Sequence, residues 1–519
     1  MKLRHSQSIV VPNSAIGDFN TGNNDHVYQS KVTSLCYSPD NSRLAVATAD
    51  RVISIYNNQG ERVDKFNTKA NSNGSKDYLI RSIQFGPDVD HPKLAIAQSD
   101  AIVFVYKWKR KGDVNRQGME NDKGYGTTSN ESKWDGKKSI CNKFPETSAV
   151  ISLLWSTKHP FQVVYGLVEG KIKIGNLRTN KSKTLYKIES NIVLSLVTNL
   201  DGSELLSGHA DGSIYRFVFP TKTKGSSCIK IIDSSSTVPY ALSWGRSICV
   251  AGLNDRVVFF DDNGHKEQSF SYNDQDGLIS SEQFVSSEFT TSSCSPNGDS
   301  IVIGSFDCFY LFVWNSTNRS WEESVTHLIK NMYSVTAIGW KPDGSSVVLG
   351  TSSGVVDEYD AAYRQFIYRD AFLVTYVSPS QILVRDKDGM NSCPVLIQSS
   401  RGEITKLKIY HDPGTSIYRY IVARTENSLI LCDMESPNNS TSEVSWRYDD
   451  KLKEKFIFDA SNACIIRNAG ELSVVEVSFM VIAQSKFGCI NTRPISFLLS
   501  LSCVTVRTRR NSRLFQNRV

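Results

Sequence analysis

Residues Val32–Tyr56 read VTSLCYSPDNSRLAVATADRVISIY, and 303 residues later Val335–Tyr359 read VTAIGWKPDGSSVVLGTSSGVVDEY. The two stretches align without a gap and are identical at eight of 25 positions. These include Thr33 and Thr336, the pairs Pro39-Asp40 and Pro342-Asp343, and the closing Tyr56 and Tyr359. Self-similarity of this kind points to a repeat architecture, in which each unit buries its apolar faces only against its neighbours.

One copy can be read directly. Val32 to Tyr37 alternates with period two and is rich in β-branched and aromatic residues, as a half-buried strand requires. Ser38-Pro39-Asp40-Asn41 is turn chemistry. Leu44–Thr48 reads as an apolar second strand, Ala49-Asp50-Arg51 as a tight turn, and Val52–Tyr56 as a third strand. The unit is an antiparallel meander.

The same pattern returns at Ile80–Tyr106, Val150–Asn176, Ile192–Phe217, Tyr240–Phe260 and Phe289–Trp314. The hairpin-turn Asp or its equivalent is expected at Asp50, Asp100, Glu169, Asp211, Asp255, Asp307 and Ser353. All but one of the steps lie between 42 and 52 residues, and the long one holds a polar, Gly- and Asn-rich insertion that ends near Lys137 and reads as a solvated loop. A period of about 45 with four short strands per unit is that of a WD-type propeller blade. The expected fold is therefore all-β: a seven-bladed WD-type β-propeller over residues 1–371, closed by a strand from the N-terminus at Arg4–Val11, followed by an incomplete second propeller over residues 372–477. Strands are expected there at Phe372–Val377, Gln381–Arg385, Pro394–Gln398, Ile404–Ile409, Tyr418–Arg424, Leu429–Cys432, Lys455–Phe458, Ala463–Ile466 and Glu471–Val477. The unpaired edges of an unfinished propeller are expected to leave 372–477 loosely held.

Charge and cysteines narrow the function classes. The net charge is +6, but residues 478–519 carry one Lys, six Arg and no acid, which is +7 and leaves −1 for residues 1–477. The body is close to neutral, so no nucleic-acid partner is expected. Eleven cysteines without a CxxC pair fit reduced thiols rather than a disulfide framework. The start lacks the apolar run of a signal peptide, and the apolar stretch Ile495–Val506 is too short to span a bilayer, so membrane association is expected to be indirect at most.

Catalytic chemistry finds little footing. Ser207, His209 and Asp211 invite a triad, yet three residues two apart on one hairpin do not place an imidazole between nucleophile and carboxylate. The eight histidines show no HxxxH or HxH spacing for a metal, and no GxxxxGK[ST] phosphate loop occurs. The turn aspartates read as turn formers rather than Ca²⁺ ligands. No catalytic, cofactor or metal residue is assigned, no cofactor and no small-molecule substrate are expected, and the chain reads as a non-enzyme.

Several runs then carry a family resemblance: ICNKF (Ile140–Phe144), TNKS (Thr179–Ser182), SGHADGSI (Ser207–Ile214), PYALSW (Pro239–Trp244) and NAGEL (Asn468–Leu472). At these residues the chain resembles the N-terminal part of the intraflagellar transport protein 172 family, over roughly Met1 to Val477. The resemblance implies two N-terminal propellers ahead of a long helical solenoid. It also implies a non-catalytic scaffold role in intraflagellar transport complex B, with other complex B subunits as partners, and a place at the cilium or flagellum, its base and a cytoplasmic pool. A WD-repeat scaffold of a vesicle coat or other trafficking complex is the alternative. Residues 478–519 match nothing expected after NAGEL, and this basic tail is expected to be disordered or the product of a truncated gene model.

Overall fold

The computed structural model describes residues 1–12, 29–71, 77–110, 136–189, 191–220, 226–233, 237–272, 288–316, 318–329, 332–387, 394–411, 418–434, 441–445, 455–459, 463–468, 471–476 and 502–506. Among them there is no helix, and none therefore that could cross a membrane. The chain divides into two compact units, Met1–Ala361 and Ala362–Val519.

The first unit is built of seven four-stranded sheets. In the first of these Val32–Tyr37, Leu44–Thr48, Val52–Tyr56 and Arg62–Asn67 pair in chain order. The second and third strands are buried along their whole length, because sheets pack on both their faces. The fourth, RVDKFN, is largely exposed, and its polar residues need no partner but water. The insertion of blade two lies at 111–135, outside the described residues. On either side of it the strands Ile102–Arg110 and Gly136–Pro145 pair with each other.

The first strand of each sheet lies beside the first strands of the sheets before and after it, and the cycle closes from Val335–Trp340 back to Val32–Tyr37. Side chains stitch the cycle. The Ile83 N–H donates to Ser34 Oγ at 3.0 Å, and the Trp155 N–H to Gln84 Oε1 at 2.7 Å. Ser195 Oγ donates to the Pro239 carbonyl at 3.0 Å, Thr290 Oγ1 to that of Val335 at 2.6 Å, and Thr336 Oγ1 to that of Val32 at 2.7 Å. Five of the inner strands carry an irregularity in register between their first and third residues, at Val32/Ser34, Ile80/Ser82, Val150/Ser152, Val193/Ser195 and Val335/Ala337. A bulge there adds local twist at the point where each blade bends toward its neighbour.

The seventh sheet takes its outer strand from the start of the chain. Lys2–Val10 pairs with Val355–Ala362, which continues into Ser346–Thr351 and Val335–Trp340. Leu3 and Ile9 are buried, and the Val11 N–H donates to the Gly354 carbonyl at 2.9 Å. Ser8 Oγ donates to Asp357 Oδ1 at 2.5 Å, and Gln7 Nε2 to Glu358 Oε2 at 2.5 Å. Glu358 Oε1 in turn accepts from Tyr37 on the first blade at 2.9 Å and from Ser346 at 2.8 Å. One carboxylate thus ties the N-terminal strand, the seventh blade and the first blade together.

The hairpin turns require one correction. Arg51, Ala101, Gly170, Gly212 and Gly354 take a positive φ, each immediately after the residue expected to form the turn. In the fifth and sixth blades Asp255 and Asp307 are themselves left-handed, at φ 53°. The equivalents of Asp50 are therefore Asn254 and Phe306. The sequence reading slipped by one because Asp is at home both before the left-handed position and in it.

The second unit holds three four-stranded sheets. All the strands expected between Phe372 and Val477 are present within a few residues of their expected bounds. Arg364–Tyr368, which the sequence reading left inside the first propeller, pairs with Phe372–Ser378 in this unit. Thr441–Ser445 was not anticipated either. The first two sheets share a core that includes Val374, Ile382, Ile397, Ile409, Ile421 and Ile430. Glu443 accepts from Ser428 Oγ at 2.6 Å, Ser399 Oγ at 3.0 Å and the Ser400 N–H at 2.9 Å, and so joins those two sheets. In the third, Glu471–Glu476 pairs with Ser502–Val506. Against the expectation of a disordered or artefactual tail, SCVTV forms a strand, and it is the stretch of the tail with the β-branched content a strand needs. The rest of the tail lies outside the described residues.

Candidate functional site

The triad-like residues come together in part. Ser207 Oγ and His209 Nε2 lie 2.9 Å apart, and Tyr186 from the outer strand of blade three donates to Ser207 Oγ at 2.8 Å. Both Ser207 and His209 are fully buried, and burial lowers the histidine below its ordinary 6.5 against the opposing pull of Asp211. Asp211 instead accepts from the Ser213 N–H at 2.8 Å and from Ser213 Oγ at 2.6 Å. A neutral, enclosed imidazole and a hydroxyl already engaged by a tyrosine reach no substrate. The network ties blade three to blade four.

Among the described residues no three His, Cys, Asp or Glu side chains cluster so as to hold a metal ion. Cys36, Cys141, Cys228, Cys249, Cys294 and Cys432 form no disulfide, and burial raises Cys36, Cys294 and Cys432 to about 12. Thiols held that far from the thiolate form are small core residues rather than nucleophiles.

The axis of the first unit is a channel of about 1040 Å³ lined by the inner strands of all seven sheets. Its walls are mostly hydroxyl-bearing and apolar, with Arg81 the single charged residue among the lining residues. Such a wall offers no paired acid and base and no counter-charge for a phosphate or carboxylate substrate beyond that one guanidinium.

What the first unit does display is loops on a rigid ring. The loops that join second to third strands, and outer strands to the next blade, bring exposed apolar side chains to one face over blades five to seven. Tyr333 is 66% exposed, Leu253 55%, Leu328 45% and Phe306 40%. They are held next to one another by hydrogen bonds to backbone carbonyls. The Phe289 N–H donates to the Gly252 carbonyl at 2.8 Å, Ser305 Oγ to that of Glu288 at 2.5 Å, and the Ile329 N–H to that of Asp307 at 2.9 Å. Phe306 also forms an antiparallel bridge with Ser334. Tyr333 is held at φ 64°, a conformation unusual for an aromatic residue and one that costs energy unless the surroundings fix it. A fixed, solvent-facing tyrosine beside a phenylalanine is what a protein-binding surface presents. Sequence reasoning passed over this patch, because nothing in the string marks Tyr333 as left-handed or Phe306 as a turn residue.

Comparison with known proteins agrees with this architecture. The WD domain, G-beta repeat model matches residues 22–57. The chain is 39% identical over 480 residues to intraflagellar transport protein 172 of Chlamydomonas reinhardtii, which covers 92% of this chain and 24% of that protein. It is 37% identical, with the same coverage, to the intraflagellar transport protein 172 homologs of Mus musculus and Homo sapiens. The chain thus spans about a quarter of the length of these relatives. With its WD repeat and its four-stranded sheets the chain is a WD-type β-propeller protein, and over 92% of its length it is similar to proteins named intraflagellar transport protein 172.

Proposed function

We propose that this chain is a non-catalytic protein-interaction scaffold of intraflagellar transport complex B, serving cilium assembly and maintenance at the cilium or flagellum and its base, with a cytoplasmic pool. The observation that carries the reading is 37–39% identity over 92% of the chain to proteins named for intraflagellar transport. The surface supports it: the ring holds loops in place while leaving them free to vary, and the Phe306–Tyr333 patch offers a protein subunit aromatic anchors. In this reading Met1–Ala361 form the seven-bladed ring, and the strands from Arg364 onward begin a second propeller. Epitope-tagged chain expressed in a ciliated cell tests the proposal. It is expected to concentrate at the cilium and its base and to retain other complex B subunits on purification. A diffuse chain that retains none of them would overturn it.

A further inference from the structure

Two of the runs that carry the family resemblance, ICNKF and TNKS, are some forty residues apart in sequence and meet on the rim of blades two and three. Asn142 Nδ2 donates to the Leu177 carbonyl at 2.8 Å and to Asn180 Oδ1 at 3.1 Å, and the Lys143 N–H donates to the same Oδ1 at 3.1 Å. Asn176 Oδ1 holds the turn from the other side, accepting from the N–H of Arg178 at 2.9 Å and of Thr179 at 3.3 Å. Asn180 closes the turn in the left-handed region, at φ 53°. Asn is one of the few residues that tolerate that conformation.

The cations mounted on this junction are unmatched. No carboxylate lies within ion-pair distance of Lys143, Arg178, Lys181 or Lys183 among the described residues, whereas Lys138 nearby is paired with Asp64 and Lys173 with Glu146. Arg178 is held by stacking 3.9 Å above the ring of Phe161, which leaves its guanidinium edge free to donate. Three other outer strands mix their signs or run acidic, with Asp64 in Arg62–Asn67, Glu267 in Lys266–Ser271, and Glu322 and Glu323 in Ser320–Leu328, whereas Lys2–Val10, Gly136–Pro145 and Ser227–Ile232 contain no acid. Lys181–Lys187, KSKTLYK, contains no acid.

Lysines on an edge strand commonly do no more than discourage strand addition. Here they are joined by a stacked arginine and by a lysine from the neighbouring blade, all on a turn fixed by five side-chain hydrogen bonds. Among the described residues Lys181–Lys187 is paired on one side only, to Lys171–Asn176, so its outer N–H and C=O groups face no other strand there. Lys181 and Lys183 are two residues apart and project to the same face of the sheet.

From these features we infer that the rim of blades two and three binds an extended, acidic polypeptide segment, which adds along Lys181–Lys187 and sets alternate carboxylates against Lys181 and Lys183, with a further carboxylate on Arg178 or Lys143. An extended chain gains main-chain hydrogen bonds and ion pairs together, which a flat anionic surface does not. The inference deepens the scaffold reading by naming the kind of partner this edge takes.

The test uses the full chain and a fluorescein-labelled synthetic peptide of alternating Glu and Thr, followed by anisotropy. The wild type is expected to bind it, to lose affinity as ionic strength rises from about 0.05 to 0.5 M, and to ignore the matching Lys-Thr peptide. Lys181→Glu with Lys183→Glu is expected to weaken binding about tenfold or more, and the milder Lys181→Gln with Lys183→Gln less so. Lys266→Glu, on a distant outer strand, is expected to leave it unchanged. Circular dichroism identifies any variant that fails to fold, and the Gln pair then decides. Equal binding by wild type and folded Gln or Glu pairs would overturn the inference. So would wild-type chain that binds phosphatidylserine vesicles but not the peptide, since the cations would then read a lipid headgroup. Retention of complex B by a chain that ignores the peptide would sink this inference while leaving the scaffold reading intact.

Discussion

Asp307 and Tyr333 hold each other in place. The Asp307 N–H donates to the Tyr333 carbonyl at 2.9 Å, the Tyr333 N–H donates to Asp307 Oδ1 at 2.7 Å, and both residues are left-handed. The carboxylate supplies the bond that fixes the tyrosine's backbone in a conformation it would not choose alone. Asp307→Ala is therefore expected to cost about 1–3 kcal/mol, the lost hydrogen bond plus the strain of an alanine at that left-handed φ. Tyr333→Gly is expected to be close to neutral in stability, because glycine adopts that φ without strain. Urea unfolding of the two variants checks both.

Glu358 concentrates the closure of the ring. Replacing it with Ala leaves Tyr37, Ser346 and Gln7 without their common acceptor at the seam, and the expected loss is about 2–4 kcal/mol. Glu358→Gln keeps an acceptor oxygen and is expected to lose less. Hydrogen exchange of the amides in Lys2–Val10 gives the local readout: it is expected to quicken in Glu358→Ala ahead of exchange elsewhere in the first unit.

Gly350 reports on the same seam from within. A Cβ there would come within 2.5 Å of Val32 Cγ1 and 3.0 Å of Leu35 Cδ2 on the first blade. Gly350→Ala is expected to cost about 1–3 kcal/mol through overpacking, measured as a shift of the urea midpoint with an unchanged slope.

Burial holds His159, His209 and His327 below the ordinary histidine value of 6.5. The unfolded chain therefore takes up protons first as pH falls. The contribution of these groups is complete above about pH 6.5 and is lost progressively as pH drops through the lowered folded values. Unfolding midpoints measured between about pH 7.5 and 5.5 are expected to decline on the acid side, and His209→Asn is expected to flatten that decline.

The inner three strands of each blade were legible because each has a sequence cause: alternation in Val32–Tyr37, a continuous apolar run in Leu44–Thr48, a turn between them. The outer strands were harder to read. Lys181–Lys187 and Ser227–Ile232 are exposed over much of their length, so no clear periodicity distinguishes them from loop, and only pairing with the third strand makes them strands. The N-terminal strand was anticipated from Ile9, Val10 and Val11, but its partners Asp357 and Glu358 lie about 350 residues away and only the fold joins them. The surface patch was illegible for a related reason. Phe306 and Tyr333 become neighbours through backbone bonds between two loops, and neither residue type announces a turn.

The most direct test of the central claim is retention of complex B subunits by the tagged full chain, compared with the double variant Phe306→Asp, Tyr333→Asp. If the loop face over blades five to seven is a docking surface of an intraflagellar transport scaffold, the wild type retains those subunits. The variant, folded by circular dichroism, then loses a contact of the hot-spot kind and retains about tenfold less or none. Retention of the same subunits in the same amount by both proteins would contradict the assignment of that face, and retention by neither would contradict the scaffold itself.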